Sequence, residues 1–168
     1  MQYVKFTVMI ISSTILMFIM MYLNTYAMSH IWYSETRTYM ALYMGAGMAI
    51  VMLIFMWGMY KNKIVNIAIV LGATILFAVS VYLVRSQASV EDSSWMKAMI
   101  PHHSIAILTS SRANIKDTRV QTLANEIIKA QEREIKEMEW LIADIKKNGI
   151  ASSKQDAVAR PVPVFSSQ

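Results

Sequence analysis

Cysteine is missing from all 168 residues, so disulfides, thiolate metal sites and cysteine nucleophiles are excluded. Charge is nearly missing from the first half. Residues 1–84 hold only Lys5, Glu35, Arg37, Lys61 and Lys63, and the other 22 of 27 charged side chains come later. With 55% hydrophobic residues against 16% charged, this uneven split excludes a single soluble core. It points to a membrane half joined to a polar half. The net charge of +5 is too small and too spread out for nucleic-acid binding. No glycine-rich phosphate loop, no serine–histidine–aspartate arrangement and no internal repeat is present. Nor is there a Glu-x-x-His, the element a di-iron bundle needs. The chain is therefore not expected to be an enzyme.

Three uncharged runs, 6–23, 39–60 and 64–84, are long enough to cross a hydrocarbon layer about 30 Å thick. In lipid a single segment satisfies its backbone only as a helix. The expected transmembrane domain is 1–87, with helices at about 4–23, 39–60 and 64–84. Lys61-Asn62-Lys63 would join the last two in a tight antiparallel hairpin. The first run exceeds the usual apolar core of a secretory signal, so a retained anchor is expected. Lys61 and Lys63 place that turn and the amino terminus in the cytoplasm by the positive-inside rule. Everything after position 84 then faces outward, as in a multi-pass protein of a bacterial inner membrane with a periplasmic or extracellular C-terminal domain.

Methionine is abundant, at 15 of 168 residues. Met40, Met44, Met48, Met52 and Met56 recur every four residues, a band that drifts slowly around the second helix. Beside it Ala41, Gly45 and Ala49 form a small-residue stripe suited to close helix approach. Methionine fills irregular gaps between helices, which explains the band by packing alone. The other reading is a ladder of soft ligands near the outer end, where Met20, Met21, Met28, His30, Met40 and Met44 would share a depth.

From Glu91 the pattern becomes amphipathic. A helix over about 92–115 should be kinked or restarted by Pro101. A second, over about 118–147, starts at the N-cap Asp117 and ends before Gly149. Its buried stripe is Val120, Leu123, Ala124, Ile127, Gln131, Ile135, Met138, Ile142 and Ile145. Gln131 and Glu134 trespass on or beside this stripe and need partners across the hairpin. Met96, Met99, His102 and His103 are the candidates opposite. Imidazole with thioether favours copper, especially Cu(I), over magnesium or calcium. The hairpin domain is 88–149, and residues 150–168 read as an extended, flexible tail.

These residues resemble the domain-of-unknown-function-305 family. The likeness rests on Met99-Ile-Pro-His-His103, then Leu123-Ala-Asn-Glu-Ile-Ile128, Gln131, Glu134-Ile135, Met138 and Trp140-Leu141. Ser34-Glu-Thr-Arg37 and the segment from Met56 to Lys63 resemble a subgroup with three membrane helices. The resemblance implies half of a ferritin-like four-helix bundle, since only one copy of the motif is present and a second chain must complete it. It also implies copper binding of the CopM type, with Met99, His102, His103 and Met138 as ligands and Gln131 and Glu134 as accessory groups. This chain has Leu108-Thr109 where the family often has Glu-Met, so one thioether is missing.

The expected molecule is an all-α membrane protein: three transmembrane helices, then an extramembrane hairpin, paired in a homodimer or higher homo-oligomer in the bilayer. Its expected role is to bind copper for sequestration or for delivery to a copper-handling partner. The alternative is a structural or accessory protein that oligomerises or docks on a larger complex.

Overall fold

The computed structural model describes residues 2–166. Among them lie six α-helices and no strand: α1 (Gln2–Met20), α2 (Glu35–Phe55), α3 (Lys63–Ser86), α4 (Asp92–Arg112), α5 (Thr118–Asn148) and α6 (Lys154–Ala159). They form two compact units. One holds α1, α2 and α3; the other holds α4, α5 and α6 together with the loop Asn24–Ser34.

In the first unit, all three helices are long and apolar enough to cross a membrane. Their ends depart from the apolar runs for local reasons. α2 begins at Glu35, four residues before its run, because an acidic side chain suits the positive end of a helix. It ends at Phe55, and a 3₁₀ turn over Trp57–Met59 lengthens the connection beyond the expected three residues. Asn62 caps α3, its Oδ1 accepting from the Ile64 and Val65 amides at 3.1 and 3.2 Å. Gln87 ends α3 in a left-handed conformation at φ 52°. α1 stops at Met20, and the buried Arg37 donates to the Met21 carbonyl just past that end while stacking over the Tyr22 ring at 4.4 Å. A cation at this position answers the exposed carbonyls of a helix C-terminus.

α2 packs against both α1 and α3. Ala41, Gly45 and Ala49 are all buried, so the small-residue stripe is where the backbones approach. At Gly45 a Cβ would overlap the Thr14 hydroxyl. Met52 and Met56 pack around a cluster of Phe6, Ala49, Leu53 and Tyr60, which gives this end of the methionine band a packing role. Below it, the buried Asn66 ties three segments together. Its Nδ2 donates to the Tyr60 carbonyl at 2.8 Å, and its Oδ1 accepts from the Tyr3 hydroxyl at 2.8 Å. Ile11 and Ile15 of α1 and Leu71 and Ile75 of α3 face outward, as lipid-facing side chains do.

In the second unit, α4 and α5 form a hairpin around Met96, Ile100, Ile107, Ile135, Met138 and Ile142. Pro101 was expected to kink or restart the first helix; the helix does not restart there, and α4 is one element through a buried Pro101. An interior proline costs about 3 kcal/mol. Ile100 and Ile107, at full burial, return roughly 1.5–3 kcal/mol each, which offsets it. α5 exceeds α4 by ten residues (31 against 21), about 15 Å of helix. This corrects the expected stripe: residues 118–123 are exposed, including Val120 at 47% and Leu123 at 54%. They precede Ile128, the first α5 residue packed on the hairpin core. The segment 150–168 was expected to be extended, yet it carries α6. A capping box between Ser153 and Asp156 starts that helix, and Arg160 pairs with Asp144 of α5 at 2.8 Å.

Candidate functional site

α4 presents Met99 and His103 one helical turn apart on one face, with Ile100, Ser104 and Ile107 beside them facing the core. The periodicity that buries the isoleucines thus carries His103 to the edge of the α5 interface. There its Nδ1 lies 3.1 Å from Glu134 Oε2, with the imidazole side chain 15% exposed. The carboxylate is out of line, so Nδ1 has charge close by without a formed hydrogen bond. Burial lowers the His103 pKa; Glu134 pulls it back up, and the neighbouring His102 adds a further push downward. The net effect keeps the ring neutral at pH 7, the form that ligates a metal. Arg133 approaches the other Glu134 oxygen at 3.9 Å.

The remaining predicted residues fall into three environments. His102 is exposed, and its ring centroid is 6.3 Å from that of His103 with the planes 59° apart. Met138 is buried inside the hairpin core, and Met99 is half-buried against that same core. Gln131 is half-buried on α5, one turn before Glu134. His103 and Glu134 are therefore brought together across the hairpin, while His102 is left exposed to solvent.

A second histidine escaped the hairpin reading. His30 Nδ1 lies 2.9 Å from Ser104 Oγ, and that oxygen accepts from the Tyr26 amide at 2.7 Å. Ser104 is fully buried at helical spacing between Ile100 and Ile107. A hydroxyl on that face needed a partner, and this was the available signal. The loop and α5 line a cleft of about 320 Å³ with Tyr26, Ser29, His30, Glu132 and Glu139 on its walls, and Glu132 Oε2 is buried there without a hydrogen-bond partner. Among the described residues no three His, Asp or Glu side chains converge to hold a metal ion.

Over 113 residues, 64% of this chain and 70% of the other, the sequence is 34% identical to an uncharacterized protein of Acanthamoeba polyphaga mimivirus. No solved structure matches it. The family model described as "Domain of unknown function (DUF305)" matches residues 84–161, which span the His103–Glu134 hairpin and α6, and the chain belongs to that family.

Proposed function

We propose that this is a membrane-anchored, non-catalytic copper-binding protein, with α1–α3 as its anchor and the α4–α5 hairpin as its binding domain. The observation that carries this reading is His103, a neutral, half-buried imidazole beside Glu134 and one turn from Met99. A carboxylate that accepts the second ring N–H of a ligating histidine orients the ring and raises its donor strength, and Glu134, 3.1 Å from Nδ1, is placed to take that role once an ion is bound. Nε2 is then the nitrogen left for the ion, with Met99 as the neighbouring soft donor. His102, exposed beside it, serves as an entry ligand, and Met138, Gln131 and Glu134 complete the surroundings from α5. Copper is the cargo, held as Cu(I) at the outer face of a bacterial inner membrane and passed to a copper-handling partner. Copper binding is what the resemblance to CopM-type members implies.

The test is Cu(I) titration of the detergent-purified full chain beside a His102→Ala/His103→Ala variant. Tight binding lost in the variant supports the hairpin site. Equal binding in both moves the site to the methionines of α2, and no binding in either removes the copper reading.

The exposed Val120 and Leu123 favour a second reading, in which the hairpin pairs with another copy to complete a four-helix, ferritin-like bundle. In that reading the chain is a structural or docking subunit. Replacing both leucine and valine by serine would then dissociate the oligomer in size-exclusion chromatography with light scattering, without touching copper affinity.

A further inference from the structure

The loop Asn24–Ser34 has two unlike faces. His30 and Trp32 turn inward, to Ser104 and to the hairpin core, and Ser34 is fully buried. Met28 is 83% exposed and Tyr33 63%, with Tyr26 and Ile31 also exposed. Over 31–34 exposure alternates: Ile31, which is extended, and Tyr33 are exposed, while Trp32 is half-buried and Ser34 buried. The loop contains no Asp, Glu, Lys or Arg. Its position in the chain adds a constraint. It leaves one candidate membrane span at Met20 and enters the next at Glu35, and Tyr33 stands two residues before that helix, within about 7 Å along the chain.

From this we infer that the outward face of the 24–34 loop, formed by Met28, Ile31 and Tyr33, lies in the headgroup layer of the bilayer. The loop is then an adhesive strip with protein on one side and lipid on the other. Tyrosine is suited to this depth because its ring is apolar and its hydroxyl reaches water. A partner protein would have to reach a strip tethered at both ends to membrane helices, and the strip offers it no charge for recognition. This inference rests on the reading of α1–α3 as membrane spans.

The natural absence of cysteine makes the test direct. Single substitutions Met28→Cys, Ile31→Cys and Tyr33→Cys are introduced into the full chain, which is spin-labelled and reconstituted in phosphatidylcholine vesicles. Val120→Cys on α5 and Ile75→Cys in the middle of α3 serve as references. Collision rates with oxygen and with a water-soluble nickel chelate then report depth. The expected result is an oxygen-to-nickel ratio at 28, 31 and 33 several-fold above that at 120 and below that at 75. Ratios at the loop equal to that at Val120, with Ile75 still lipid-buried, would overturn the inference alone. A water-exposed Ile75 would overturn the membrane reading beneath it. Dipolar broadening between loop labels of two molecules would assign the strip to a second copy and overturn the lipid assignment.

Discussion

Replacing Ser104 by alanine should free the 24–34 loop from the hairpin. Ser104 Oγ is fully buried and meets two groups of that loop, the Tyr26 amide at 2.7 Å and His30 Nδ1 at 2.9 Å. Each hydrogen bond is worth about 0.5–1.5 kcal/mol net, and a stranded amide adds about 1–3 kcal/mol if it stays buried. The loop can relieve the second cost by peeling off, so we expect a loss near 2 kcal/mol in its closing equilibrium. At about 1.4 kcal/mol per tenfold, that is roughly a 30-fold increase in the open fraction. Amide hydrogen exchange of the detergent-solubilised full chain, read by mass spectrometry over residues 24–34, measures this directly. His30→Ala removes one of the two bonds and should cost about 1 kcal/mol, roughly fivefold. The double variant should match Ser104→Ala alone, because the partner of His30 is already gone. Unchanged protection in Ser104→Ala, or strictly additive effects in the double variant, would refute the reasoning.

Ile100→Ala removes a fully buried side chain from the hairpin core and should destabilise it by about 2–5 kcal/mol in chemical denaturation followed by helical circular dichroism. Gly45→Val places two methyls where one Cβ already overlaps Thr14, so α1 and α2 should separate and the thermal stability of the solubilised protein should drop. The His103 pKa is lowered in the fold, so protons bind the unfolded chain more tightly than the folded one. Its contribution to stability is full above the unfolded value near 6.5 and is lost as pH falls through that value toward the lower folded one. In the metal-free protein, His103→Gln should therefore flatten the stability profile on the acid side of pH 6.5, and a profile identical to the parent's would count against a depressed His103.

Much of the architecture was legible in one dimension because its causes are local. Uncharged runs long enough for a bilayer predict helices wherever they occur, since the backbone has no other single-segment solution in lipid. The 3.6-residue period placed α4 and α5, and Asp117 and Gly149 marked the ends of α5 by capping chemistry that needs no distant partner. The need for a partner opposite Glu134 was also readable, and His103 is there. Errors came where tertiary contact overrode local preference. α4 does not restart at Pro101 because the isoleucines around it are buried against α5, and the first turns of α5 are exposed because it outruns α4. The loop 24–34 looked like a connector between membrane helices. Only the fold placed Ser104 under His30 and the Tyr26 amide, since a pairing across more than seventy residues leaves no trace in periodicity or spacing. Element identity follows from neighbours along the chain; the company each polar side chain keeps is decided by packing.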